Sequence, residues 1–138
     1  MWVIYALLSA FFAALVAIFA KIGIKDVDST LATTVRVIVM MLFFVITSFA
    51  LKKFALLPTI NSKALTFIVL SGLAGALSWL FYFVALKGGP VAGVVALDRL
   101  SVVFALILAV LFVSESLTWK TGAGAVLVTL GAILMSIK

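Results

Sequence analysis

Asp98 and Arg99 stand side by side in the middle of an apolar run from Val91 to Val113. A charged side chain at the centre of a bilayer-spanning helix costs about 2.5–3.5 kcal/mol on insertion scales. Such residues are rare, face a bundle interior or a water-filled cavity, and often mark a solute or ion path. Consecutive residues on a helix point about 100° apart and do not face each other. Asp98 and Arg99 are therefore no automatic ion pair, and each needs its own partner. Arg36, Ser78, Tyr82 and a second subunit are the candidates. Two readings stay open: a buried polar network that fixes helix register, or a site for a charged solute or a proton. Of the two, Asp98 is suited to proton coupling, because arginine does not release its proton.

Arg36 lies one to two turns inside another apolar run, on a face with Thr33, Met40 and Thr47. It can snorkel to its own interface or reach inward and hold an anionic group with both arms of its guanidinium. Ser71, Gly75, Ser78 and Tyr82 follow the spacing i, i+4, i+7, i+11, which is one helix face, widened by Gly72 and Ala74. This weakly polar face suits close helix packing, or a cavity wall in which Ser78 and Tyr82 hydrogen-bond a ligand. Ala92, Ala96 and Arg99 share a face in the fourth run, so Arg99 emerges from a strip of small residues. Asp98 falls along Val94, Val102, Ala105 and Ala109. Glu115, between Ser114 and Ser116, reads as an interfacial charge and a cap for the next helix. Thr121, Gly122, Gly124, Ala125 and Gly131 read as a packing face and a candidate oligomer contact.

Enzyme signatures are missing. The chain has no Cys and no His, so no Ser-His or Cys-His dyad forms and no thiolate or imidazole metal site exists. There is no glycine-rich phosphate loop and no embedded pair of carboxylates. No cofactor and no metal is expected, and the chain is read as a non-enzyme. The formal charge is +6, but the lysines fall singly or in pairs at the ends of apolar runs. No basic stripe tracks a phosphate backbone, so nucleic acid is not an expected partner.

The elements that hold these residues are long and apolar. Hydrophobic residues make up 67% of the 138-residue chain and charged residues 10%, against about 25% charged in soluble domains. Five runs can be drawn: about Trp2–Ile22, Thr30–Leu51, Ala64–Leu86, Val91–Val113 and Leu117–Ile137. Each is long enough to cross a hydrocarbon layer of about 30 Å at about 1.5 Å per residue. Period-two alternation is lacking, so barrel strands are not expected. Ser29 or Thr30 is the expected N-cap of the second helix. Residues Phe54–Lys63, with Pro58 and Asn61, read as a loop. Gly88-Gly89-Pro90 is the expected stop between the third and fourth helices. Trp119 sits at an interface and Lys138 at the terminus. The first run lacks a basic leader and is followed by further spans, so it reads as retained rather than as a signal peptide. The chain is thus expected to be an all-α membrane protein of five transmembrane helices in one domain, residues 1–138, with the lipid bilayer as its first partner.

Five spans put the termini on opposite sides. Lys52, Lys53, Lys63 and Lys120 fall on one side, and Lys21, Lys25, Lys87 and Lys138 on the other. Orientation is set by an excess of Lys and Arg on one side, and here the lysines balance. Either local effects select one orientation, or the chain inserts both ways and pairs with an inverted copy. The second case supplies in two chains what many transporters hold in one as inverted repeats.

Several segments together carry a family likeness: Ala10–Lys21 with Gly23; Leu31-Ala32-Thr33-Thr34-Val35-Arg36; Trp79–Lys87 with Gly88; and Pro90–Ser101, with Leu97-Asp98-Arg99-Leu100-Ser101 at its end. Ala109–Glu115, Leu117-Thr118-Trp119 and the glycine-rich Gly122–Ser136 complete it. In this order the chain resembles the EamA-type members of the drug/metabolite transporter superfamily over nearly its whole length. Larger members hold ten helices as two inverted five-helix repeats around a central cavity, and this chain is similar to one repeat standing alone. The resemblance implies a multi-pass protein of a bacterial or archaeal inner membrane that moves small metabolites, amino acids or drugs. It implies action as a homo-oligomer, an antiparallel dimer, or with a sister half. Arg36, Ser78, Tyr82, Asp98 and Arg99 would line or brace the substrate site. No nucleotide motif supplies ATP energy, so ion coupling or exchange is expected. The rival expectation is a non-transporting accessory subunit of a membrane complex. An ion channel is a weaker alternative, since no filter motif is present.

Overall fold

The computed structural model describes residues 1–114 and 116–137; Glu115 and Lys138, and the cap expected at Glu115, lie outside them. Among the described residues there are helices and turns and no strand. The helices are α1 (Trp2–Gly23), α2 (Ser29–Ala50), α3 (Ser62–Gly88), α4 (Val91–Asp98), α5 (Ser101–Leu108) and α6 (Trp119–Ser136). α4, α5 and a π turn over Ala109–Val113 follow one another through the fourth span. Among the described residues five spans are long and apolar enough to cross a membrane, and the chain is an integral, multi-pass all-α membrane protein.

The helix starts follow capping chemistry, with two differences from expectation. Asp28, not Ser29 or Thr30, caps α2: its carboxylate accepts from Thr30 N at 2.9 Å and Leu31 N at 3.0 Å. A carboxylate at this position satisfies two of the amides that a helix start leaves open and meets the positive end of the helix dipole. Asn61 does the same for α3, accepting from Ala64 N at 2.8 Å. Thr118 caps α6 through a reciprocal pair with Thr121. The segment expected to be a loop forms a 3-10 helix over Lys53–Thr59 that carries Pro58. Helix α2 ends at Ala50, and Lys52, two residues on, takes the left-handed region at φ 54°. No described glycine takes that conformation, so Gly88-Gly89 ends α3 without the left-handed cap that its sequence suggests.

The chain divides into two compact units, Met1–Lys21 with Gly88–Lys138, and Ile22–Lys87. In the first, α4 packs on α6, with Gly93, Ala96 and Ala132 buried. A Cβ on Gly93 would meet the Met135 carbonyl oxygen at 3.5 Å and Ser136 Cα at 3.6 Å, so a small residue sets this approach. Lys21 Nζ donates to the Gly89 carbonyl at 2.8 Å. In the second unit Ile24 and Leu86 are fully buried, beside Phe83, Ser29 and Thr33. Lys87 Nζ donates to the Val27 carbonyl at 2.8 Å.

Two small-residue faces differ from expectation. Glycines 72, 75, 122, 124 and 131 have nothing within 4 Å of an added Cβ, so within the chain they make no close packing. In α4 the packed strip runs through Gly93 and Ala96, while Ala92 is exposed. Most large apolar side chains are exposed, Phe12, Phe44, Phe81 and Phe112 among them, as a lipid-facing surface requires.

Candidate functional site

The hydroxyls in the spans are the first polar groups to account for. Thr33 Oγ1 donates to the Ser29 carbonyl at 2.8 Å, Thr47 to Phe43 at 2.7 Å and Thr129 to Ala125 at 2.8 Å. Each bond runs back four residues in the threonine's own helix and satisfies a donor that hydrocarbon would leave bare. The Thr33 and Thr47 donors on the Arg36 face are therefore spent on the backbone.

Arg36 is not. Its side chain is half-buried in the unit 22–87, with Cζ 3.6 Å from the ring centroid of Trp79 and 5.7 Å from that of Phe83. Trp79 meets Tyr82 edge to face at 5.4 Å and Phe83 at 6.2 Å between centroids. Arg36 Nη1 is buried and has no hydrogen-bond partner among the described residues. Of the expected residues, Arg36 and Tyr82 come together here. Ser78 does not join them: it is exposed, as is Ser71, because the inward face of α3 runs through Gly75, Trp79, Tyr82, Phe83 and Leu86. Spacing alone does not mark Trp79 as a site residue. The signal that points to it is an embedded arginine in one helix and three aromatics at i, i+3 and i+4 in another.

Asp98 and Arg99 lie in the other unit, where the fourth span is interrupted. α4 ends at Asp98 and α5 begins at Ser101. Across the gap the backbone turns by i→i−3 bonds: Leu100 N to Leu97 O at 3.0 Å, Val102 N to Arg99 O at 3.0 Å and Val103 N to Leu100 O at 2.9 Å. None of the backbone bonds across the break uses the Ser101 N–H or the Asp98 carbonyl. A tight turn advances about 120° per residue instead of about 100°. Faces projected through a continuous helix, such as Asp98 with Val102, Ala105 and Ala109, therefore do not carry across it. Asp98 is half-buried and Arg99 exposed. Among the described residues neither side chain has a hydrogen-bond or ion-pair partner.

Unsatisfied backbone and two unpaired charges are not tolerated against lipid. Non-helical backbone at membrane depth persists only where it is covered by protein or lines a water-filled cavity. Here the backbone stays in the right-handed helical region at Arg99 and Leu100, so the interruption is a local tightening of the helix that re-aims its side chains. Among the described residues no three His, Cys, Asp or Glu side chains gather as a metal site would need.

Residues 1–137 match the EamA-like transporter family. A protein of Sinorhizobium sp, named an uncharacterized transporter in the cobO 3' region, is 40% identical over 136 residues, covering 99% of this chain and 96% of its own length. No solved structure matches the chain.

Proposed function

The chain belongs to the EamA-like transporter family, and from that premise we propose that it is a secondary transporter of small solutes, with its site at the break in the fourth span. The supporting observation is the interruption at Asp98–Ser101, where two charged side chains and two backbone groups have no partner among the described residues. Asp98 and Arg99 would bind or brace the solute at the break; in residues 22–87, Arg36, Tyr82 and Ser78 are candidate contributors of their own. Of these Ser78 has the weakest support, since it is exposed. A small metabolite, an amino acid or a drug-like compound is the solute class. A dimer of antiparallel copies supports alternating access by rocking of one repeat against the other, in the inner membrane of a bacterium or archaeon. The balance of lysines, four on each side of the five spans, favours that arrangement over a parallel one. Reconstituted into liposomes without nucleotide, the protein is expected to move at least one member of a broad metabolite panel down an imposed ion or solute gradient. A panel on which it moves nothing sinks the proposal.

A further inference from the structure

The guanidinium of Arg36 is presented in a way that selects what it can bind. Its Cζ stands 3.6 Å from the Trp79 ring centroid. An edge-on guanidinium at that distance would push a nitrogen to within about 2–3 Å of the ring, given a C–N bond of about 1.3 Å. The two planes therefore stack. Stacking occupies the face of the cation, but its N–H donors lie in its plane, and those not enclosed by protein stay available to a ligand. One of them, on Nη1, is buried with no acceptor among the described residues. Phe83, at 5.7 Å, and Tyr82, through its edge contact with Trp79, add an aromatic wall beside the same cation. The donor edge is thus fixed in orientation and bordered by apolar rings.

The charge balance gives the sign of the occupant. Within residues 22–87 the apolar runs embed one charge, Arg36, so the charge to be neutralised there is positive. A fixed planar fork matches the two oxygens of a carboxylate. A phosphate dianion would call for a second cation. The lysines of residues 22–87 lie outside the apolar runs, at positions 25, 52, 53, 63 and 87. We infer that Arg36, seated on Trp79, binds the carboxylate of an organic monoanion whose apolar or aromatic body lies against the accessible edges of Trp79 and Tyr82. The inference deepens the transport proposal and rests on it for its meaning: the solutes carried are organic acids, not organic cations.

The test uses the full chain in phosphatidylcholine nanodiscs, with Trp2→Phe and Trp119→Phe so that Trp79 is the sole indole. Both replaced residues are strongly exposed, at 78% and 89%. Phenylacetate is titrated against Trp79 emission, beside phenylacetamide and phenethylamine, which share its body without the anion. The expected result is a saturable change with phenylacetate and binding about tenfold or more weaker for the two analogues. Arg36→Gln weakens phenylacetate by a similar factor. Arg36→Lys, which keeps the charge and loses the planar fork, recovers only part of it. Equal responses to all three compounds would show apolar partition and overturn the inference, and this holds even if Arg36→Gln does not fold. So would a preference for phenyl phosphate over phenylacetate. The inference also falls if phosphatidylglycerol in the nanodisc reproduces the Trp79 change and blocks phenylacetate, because Arg36 would then be a headgroup contact. Selective binding without any solute flux would end the transport proposal and leave the anion site standing. Flux of other solutes without a Trp79 response would do the reverse.

Discussion

At the residue scale, charge in hydrocarbon was legible and its partners were not. Arg36, Asp98 and Arg99 stand out because a bilayer makes every embedded charge expensive. Trp79 did not stand out, because an indole on an apolar helix reads equally as lipid-facing. Only the pairing of two helices brings it to 3.6 Å from Arg36, and no periodicity within one helix encodes that pairing. Asp28 was missed as a cap for a simpler reason: three capping residues, Asp28, Ser29 and Thr30, run in a row, and pattern alone does not choose among them. Its role has a pH consequence. The backbone amide of Leu31 holds the Asp28 carboxyl below its ordinary value of 3.8; desolvation opposes it, and Thr30, Lys87 and Ser29 add to the lowering. A carboxyl with a depressed folded value stabilises the fold above its unfolded value and loses that contribution as pH falls through the lower, folded value. Thermal unfolding in detergent is therefore expected to be insensitive to Asp28 ionisation near neutrality and to weaken below about pH 3.8. Asp28→Asn, which keeps a capping oxygen, is expected to flatten that acid limb, and an unchanged limb in this variant would remove Asp28 as its cause.

At the element scale, the five spans were legible from run length and the interruption of the fourth was not. Runs of twenty-odd apolar residues bounded by lysines and turn formers admit little else. The break at Asp98–Ser101 has neither glycine nor proline within it, so none of the usual breaker signals marks it. The charges do mark it, once a break is known to exist, because freed backbone and embedded charge need the same covered or wet surroundings. The strip of small residues in α4 was legible but shifted by one residue, to Gly93 instead of Ala92, and the sequence did not name α6 as the helix that packs on it. Gly93 gives a direct check. Its added Cβ sits at contact distances of 3.4–3.6 Å, so Gly93→Ala is expected to fold with little change. Gly93→Leu forces branched bulk against the backbone of Met135 and Ser136, and is expected to cost about 1–3 kcal/mol as overpacking. Equal unfolding midpoints for the two variants would mean that α4 and α6 do not approach each other there.

At the scale of the whole molecule, the buried apolar set is small. Among the described residues it consists of Ala17, Ile24, Phe83, Leu86, Ala96 and Ala132. The glycines of α3 and α6 have open space beside them, and small-residue faces are where membrane helices associate. These features accord with a repeat that completes itself with a second copy. Orientation is the property to measure, and the absence of cysteine makes it accessible. Single-Cys variants at Lys25 and Lys53 flank α2 and so report opposite sides of the membrane. Lys25 is preferred to Lys87, whose ammonium holds the Val27 carbonyl. In intact cells a membrane-impermeant thiol reagent is expected to label a fraction of both, as dual insertion requires. Labelling confined to one of the two positions would establish a single orientation and remove the antiparallel dimer. The broader claim, that the interrupted fourth span is a solute site, is tested most directly by solute flux through Asp98→Asn and Arg99→Gln in proteoliposomes, compared with the unaltered chain at equal reconstitution and equal thermal stability. The unaltered chain is expected to transport, and either substitution to abolish or strongly slow flux while the fold is kept. Unchanged flux in both variants, or variants that alter folding alone in a chain that carries no solute, would contradict that claim and leave an accessory subunit as the better reading.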